Sequence, residues 1–470
     1  MPLQFIVSQK GNKLLLHNGY LHTFYKEGVN KFIWRCSEYK TYKCTSCYTT
    51  TREEIGDIIK ESVHYSHAPD IAKVKIKEII TNIKEEAKTS VLTPRNLVSR
   101  AVEILPTSII GQLPNIEKMS KTIRRERIKQ QKPPANPVNV GELIISGEYS
   151  VTNKGEMFLF YDNKIQKRIL IFSTLENLNT LKECSSWFGD GTFRSVPTFF
   201  SQLYTIHGTK NKQSFPLVYI LMVDRSKDSY IEVLKALKSA VSSLTPQRIM
   251  VDFEMAFISA YKDEFPTTEI KGCFFHFQQC LWRKIQSCGL QQTYGDDVEF
   301  AMQIRSLSAL AFIPTINVIR TFEELLDSTY FLENDELLSP IINYFEDTWI
   351  GRPNRNNRRR SPQFDFCMWN CYDSVLKHQP RTNNAVEGWH HAFNRALAAN
   401  HVTIWKFINF LKQEQSLQEV KMEQSLSGEP SPKKRKKYND YDERLFKIVI
   451  QYNEMTPMNY LRGIAHNLKF

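Results

Sequence analysis

Over residues 1–70, apolar positions alternate with polar ones in short runs, Leu14–Leu16, Tyr20–Tyr25, Lys31–Cys36 and Thr49–Ile55, separated by Gly, Asn and Lys. A period of two is that of half-buried strands, so this stretch predicts a small β-rich module. From residue 71 the period lengthens. Ile71, Val74, Ile76, Ile79, Ile80 and Ile83 recur at helical spacing, and Thr93-Pro94 is a helix start with Pro at its first position. Residues 71–140 therefore read as a helical, basic segment. It ends in a linker, Lys132-Pro-Pro-Ala-Asn-Pro137, whose prolines break any helix.

From residue 141 strands and helices interleave. The β-prone runs are Met157–Tyr161, Ile169–Ser173, Trp187–Phe193, Gln202–Gly208, Leu217–Val223, Arg248–Phe253 and Ile270–Phe275, with helical patterns at Ser229–Ser242 and Met255–Phe265. Starting at Trp187, the order is three strands, a helix, a strand, a helix and a strand. That is an α/β class, and the order matches a ribonuclease H-like core. Residues 141–276 would form its first part, 277–375 a helical insertion, 376–415 a further core helix and 416–470 a C-terminal tail.

The 470 residues, 41 % of them hydrophobic, suffice for about two to four domains with substantial cores. No run approaches the roughly 18 apolar residues of a membrane span, and the first residues lack a basic segment followed by an apolar one, so an intracellular, non-membrane protein is expected. Nine cysteines point to reduced thiols rather than a disulfide framework. The net charge of +12 is unevenly placed: residues 1–140 hold 23 Lys/Arg against 13 Asp/Glu, so +10 of it lies there. A cationic N-terminal part suits phosphate neutralisation, which makes DNA the expected partner.

Three acidic residues carry the candidate chemistry. Asp190 in Trp-Phe-Gly-Asp-Gly-Thr-Phe and Asp252 in Ile-Met-Val-Asp-Phe-Glu end β-prone runs, where a lone carboxylate is costly to bury unless it binds a cation. Glu387, in Thr-Asn-Asn-Ala-Val-Glu-Gly-Trp-His-His, sits in a helical segment that could bring it to the same sheet edge. Three converging carboxylates suit two Mg²⁺ or Mn²⁺ ions in phosphoryl transfer. In the N-terminal module Cys36, Cys44, His64 and His67 supply two thiolates and two imidazoles, a set for tetrahedral structural zinc. Cys47 is an alternative to Cys44, because Cys44-Thr-Ser-Cys47 also has zinc spacing.

These motifs, in this order, resemble the Mutator-like element transposases with a FLYWCH-type zinc finger in front. The residues that carry the resemblance are Asp-Gly-Thr-Phe at 190–193, the strand ending in Asp252, the Cys273-Phe-Phe-His276 pair and Thr-Asn-Asn-Ala-Val-Glu-Gly-Trp-His at 382–390. The resemblance implies that Asp190, Asp252 and Glu387, spaced 62 and 135 residues apart, form a catalytic Asp-Asp-Glu triad, with the longer interval holding the family's helical insertion. It further implies that Cys273 and His276 accompany the triad; read from the residues, His276 contacts DNA phosphate or positions Asp252, the alternative being a buried packing Cys and a His that caps the strand end. In one respect this chain departs from the finger's usual ending: His64-Tyr-Ser-His67 stands where His-x-His is typical.

DNA contacts are expected from Arg352, Arg355, Arg358, Arg359 and Arg360, beside Phe364, Phe366 and Trp369 as stacking rings, and from Arg381, Asn383, Asn384, His390 and His391 around Glu387. The run Lys433-Lys-Arg-Lys-Lys437 reads as a nuclear-entry signal or a second phosphate contact. The function expected from sequence is that of a nuclear DNA transposase, possible as a homo-oligomer, whose water-driven hydrolysis at an element end frees a 3′ hydroxyl to attack target DNA. The alternative is a domesticated DNA-binding regulator without transposition.

Overall fold

A computed structural model describes residues 3–7, 12–52, 57–90, 92–103, 105–131, 133–194, 196–211, 213–354, 358–397, 402–430 and 436–470. Arg355, Lys433–Arg435, Lys132 and the end of the run Thr49–Ile55 lie outside the described residues. The chain divides into two units, Met1–Ala135 and Asn136–Phe470.

In the first unit, β1 (Gln4–Val7), β2 (Lys13–His17), β3 (Tyr20–Gly28), β4 (Lys31–Cys36), β5 (Cys47–Thr51) and β6 (Ile58–Lys60) form one sheet in sequential order. Alternation divides its side chains between the two faces. Leu15, Trp34 and Tyr48 gather in one cluster, while Ile6, Leu14 and Leu21 meet Val74 of helix α1 (Ile71–Thr89) in another. Asp70 starts α1 by accepting from the Lys73 N–H, and Thr93 starts α2 (Pro94–Val102) by accepting from the Asn96 N–H. After the short α3 (Thr107–Ile110) comes α4 (Ile116–Gln131). Helices α1, α2 and α4 bury Ile79, Ile83, Leu97, Val98, Met119 and Ile123 against one another.

The second unit is built on β7 (Leu159–Asp162), β8 (Ile169–Phe172), β9 (Ser186–Thr192), β10 (Gln202–Lys210), β11 (Gln213–Met222), β12 (Arg248–Val251) and β13 (Glu269–Gly272). They form one mixed sheet in the order β13-β12-β9-β10-β11-β8-β7. β9, β10 and β11 run antiparallel, whereas β12 pairs parallel with β9 on one side and β13 on the other. Helices α5 (Leu175–Glu183), α6 (Lys227–Ala240) and α7 (Met255–Glu264) connect the strands.

Alternation again sorts the core, save at the bulge where Leu217 and Val218 join the same cluster. Ile169, Ile171, Val218, Ile220, Tyr204 and Ile206 join the cluster of α6 and α7. Their neighbours Leu170, Phe172, Tyr219, Leu221 and Leu203 face the other cluster, which contains Phe393 and Leu397 of α16 and Trp405 and Ile408 of α17. Between β13 and these last helices lie α8 (Phe274–Ser287), α9 (Gln291–Asp296), α10 (Val298–Ala309), α11 (Val318–Leu326), α12 (Thr329–Glu333), α13 (Asp335–Phe345), α14 (Phe366–Trp369) and α15 (Tyr372–Leu376). The chain closes with α16 (Asn384–Leu397), α17 (Ile404–Leu426), α18 (Lys436–Val449) and α19 (Pro457–Ala465).

Three expectations change. The segment 416–470 is not a tail: Leu445, Val449, Tyr460, Leu461 and Ile464 are buried in the main core, and the Tyr460 hydroxyl donates to the Phe312 carbonyl at 2.6 Å. The stretch 376–415 holds two helices rather than one, the second running on to Leu426. The last strand stops at Gly272, and Phe274 and Phe275 already belong to α8, because Cys273 is its N-cap.

Candidate metal centres

The register of β9 and β12 fixes the first pair of carboxylates. Arg248 lies opposite Ser186 and Met250 opposite Phe188, which brings Asp252, one residue past the end of β12, level with Asp190 on β9. Both residues are half-buried or more, and burial together with the charge of Asp190 pushes the Asp252 carboxyl up to about 6. The Asp190 carboxylate accepts from the Gly191 N–H at 2.9 Å, and Asp252 accepts from the Glu254 N–H at 3.3 Å.

Glu387 comes from the first turn of α16, and two contacts set that turn. The Phe274 N–H donates to the Arg381 carbonyl at 2.9 Å, tying the segment before α16 to the start of α8. Beneath it, Val386 packs with Phe188, Met250 and Cys273 in a small buried cluster; Phe188 and Met250 stand two residues before Asp190 and Asp252, and Val386 one before Glu387. Burial raises the Glu387 carboxyl, opposed by His276 and aided by Asp190. His276 Nε2 lies 3.5 Å from Glu387 Oε1, and His390 Nδ1 lies 3.4 Å from Asp190 Oδ2. The chain continues inward, with His390 Nε2 2.9 Å from Thr205 Oγ1 and His207 Nε2 3.1 Å from the same hydroxyl.

Asp190, Glu387, His276 and His390 line an open cleft of about 920 Å³, rimmed by Phe193, Arg194, Phe275 and Arg395. Phe193 and Phe275 are exposed rings and Arg194 and Arg395 exposed cations, so this cleft offers both stacking and phosphate-neutralising groups. None of these four was expected from sequence to contact DNA, although Phe193 and Phe275 lie inside two of the motifs singled out there.

The expected arginine loop is arranged differently. Arg359 pairs with Glu346 at 2.7 Å and Glu323 at 2.8 Å, Arg352 pairs with Asp347, and Arg381 pairs with Asp442. Arg358 and Arg360 are exposed. Phe364 and Trp369 are buried, the first stacked on Trp349 and the second on Phe277, so neither ring is available to a base.

In the first unit, Cys36, Cys44, His64 and His67 place one ligand atom each within 4.8 Å of one another. Cys47 lies outside this group, on β5, with its backbone bonded to Ser62. The hydrogen bonds define which imidazole nitrogens are bare. Ser46 Oγ donates to the Ser62 carbonyl at 2.9 Å and so accepts from His64 Nε2–H at 3.1 Å, leaving His64 Nδ1 without a proton, 3.4 Å from Cys44 Sγ. His67 Nδ1–H donates to the Ala68 carbonyl at 3.0 Å, leaving Nε2 bare, 3.2 Å from Cys36 Sγ. Burial and the neighbouring Cys44 push the Cys36 thiol up to about 11, a cost that a dication shared by both sulfurs offsets. Two sulfurs and two bare nitrogens fit zinc, and the extra residue between the histidines is absorbed by binding through Nδ1 of one and Nε2 of the other.

The first unit thus holds a donor set for structural zinc, and the second an open cleft lined by carboxylates, imidazoles and exposed cations. Residues 186–280 match the family model of the MULE transposase domain, and residues 5–67 match that of the FLYWCH zinc finger domain. The chain therefore carries a MULE transposase domain behind an N-terminal FLYWCH zinc finger. The first match spans Asp190, Asp252, Cys273 and His276 and ends before Glu387. No curated protein matches the chain. Among the described residues no helix is long and apolar enough to cross a membrane.

Proposed function

We propose that this chain is a nuclear DNA transposase that cleaves and joins DNA strands at a ribonuclease H-like core, with Asp190, Asp252 and Glu387 as its catalytic carboxylates. The observation that supports this reading best is the shared edge: β9 and β12 carry Asp190 and Asp252 level with each other, and α16 brings Glu387 to the same cleft as Asp190. Buried carboxylates whose charges repel are a donor set for hard divalent cations, and Asp252 and Glu387, both raised by burial, fit that role. When bound, Mg²⁺ or Mn²⁺ would supply charge stabilisation for the attacking and leaving oxygens of the phosphodiester. The protein's own residues orient the DNA: Arg194 and Arg395 neutralise phosphates at the rim, and Phe193 and Phe275 give faces on which an unpaired base can stack. The FLYWCH module and the basic helices after it hold most of the excess positive charge and supply the remaining affinity for DNA.

The test is strand cleavage by Asp190→Asn, Asp252→Asn and Glu387→Gln, each of which removes a metal ligand at nearly constant shape. All three should lose Mg²⁺-dependent cleavage and keep DNA binding. Cleavage at the wild-type rate by any one removes that residue from the triad, and DNA binding without cleavage by the wild type would point to the domesticated regulator instead.

A further inference from the structure

We propose that Cys273, His276 and Glu387 form a second soft-metal site, which takes Zn²⁺ through the cleft and withdraws Glu387 from the other two carboxylates. One donor atom of each residue lies within 4.8 Å of the others. The fold brings them together deliberately. Cys273 caps α8 and His276 stands three residues on, so both lie on one side of the same helical turn. Glu387 is held against them by the Phe274–Arg381 backbone bond and by Val386 packing on Cys273.

The three side chains crowd together without satisfying one another. His276 Nε2 approaches Glu387 Oε1 only to 3.5 Å, and Glu387 Oε1 and His276 Nδ1 are buried with no hydrogen-bond partner among the described residues. A buried carboxylate oxygen left so is costly, and a cation that it shares with the thiol and one imidazole nitrogen removes that cost. The donor types then choose the cation. A thiolate and an imidazole favour Zn²⁺ over Mg²⁺, and with Cys273 buried behind them and His276 and Glu387 lining the open cleft, three protein donors leave a fourth position for water on the cleft side. Asp190 and Asp252 present only oxygens, so hard and soft ions compete for Glu387 alone. The zinc site stands on its three donors; its effect on cleavage rests on the triad proposed above.

The experiment counts zinc in the full-length protein after equilibration with Zn²⁺ and removal of the excess. Wild type should hold one more zinc per chain than either Cys273→Ser or His276→Ala, and Co²⁺ in its place should show a thiolate charge-transfer band that Cys273→Ser diminishes. His276 is partly exposed, so its replacement by Ala tests the site even where Cys273→Ser disturbs the packing beneath. Zinc should also inhibit Mg²⁺-dependent cleavage, with the ratio of rates with and without zinc closer to one in both variants. Equal zinc content in wild type and both variants overturns the proposal. A protein that never cleaves DNA overturns the triad, and the zinc count still decides this site.

Discussion

The zinc cluster of the first unit and the carboxylate edge of the second are both sets of donors gathered from distant parts of the sequence, but they stand on very different supports. Around Cys36, Cys44, His64 and His67 the apolar clusters are small, Leu15, Trp34 and Tyr48 on one side and Ile6, Leu14, Leu21 and Val74 on the other. Two of the four donors, His64 and His67, lie in a stretch with no regular secondary structure. Asp190, by contrast, lies within a strand of a seven-stranded sheet covered by a core that includes Trp187, Tyr204, Tyr219 and Phe257. In the first unit the metal would hold the fold; in the second the fold alone gathers the carboxylates, at the cost of raised carboxyl pKa values.

The largest expected effect comes from removing zinc. Ligation in small zinc modules contributes on the order of 10 kcal/mol, more than clusters of this size can replace. Chelation, or Cys36→Ser, should therefore strip hydrogen-exchange protection from β2–β5 while β9–β12 keep theirs. A module that stays protected without metal would erase the contrast between the two units.

The strands of the second unit were readable because they are apolar runs of strand length bounded by polar residues, and β9 to β12 fell within a few residues of their expected places. Helix α5 was not, since it has only nine residues and its apolar Leu178 and Leu181 form less than a full stripe. Asp190, Asp252 and Glu387 could be singled out as isolated acids in apolar or helical surroundings. Spacing alone could not choose between Cys44 and Cys47, because the choice depends on where His64 and His67 fold back. Nor could it show that Arg359 is engaged, since Glu323, one of its partners, comes from a different helix. Tertiary pairing of charges is invisible to a charge count.

A second, smaller effect tests how tightly the second unit is built around its donors. A Cβ on Gly189 would lie 2.3 Å from the buried Tyr204 hydroxyl, which packs behind the strand that carries Asp190. Gly189→Ala should destabilise the protein by up to about 3 kcal/mol through overpacking. Adding Tyr204→Phe should recover part of the loss, as thermal or urea melts would show. Full stability in Gly189→Ala would mean the edge is looser than its packing indicates.

A third test reads the cost of holding carboxylates in place. Asp252 has its carboxyl raised from 3.8 to about 6, so its contribution to stability is present below 3.8 and lost as pH rises through about 6. In metal-stripped protein Asp252→Asn should therefore be more stable than wild type above pH 6, by on the order of 2 kcal/mol, and the gap should close in acid. On the function proposed above, the same variant should also lose cleavage. Melting curves across pH that coincide for the two proteins would deny that the fold pre-pays for this site.

The smallest effect concerns the shell behind the zinc donors. Ser46 Oγ donates to the Ser62 carbonyl and accepts from His64 Nε2–H, which is what leaves His64 Nδ1 free to face Cys44. Outer partners of this kind commonly shift metal affinity by about 10- to 100-fold. Ser46→Ala should fall at the low end, because His22 Nε2, 3.1 Å from the same ring nitrogen, remains as an acceptor. Zinc competition against a chromophoric chelator should show a loss of about tenfold, roughly 1.4 kcal/mol. Ser46→Ala combined with His22→Phe, which removes both acceptors, should lose more than the sum of the single changes, since His64 Nε2–H is then left without a partner and the competing tautomer, with its proton on Nδ1, blocks the metal. Nitrogen chemical shifts of the His64 ring report that tautomer directly. Unchanged affinity in the double variant would show that the four donors alone set the site and that the surrounding sheet contributes only shape.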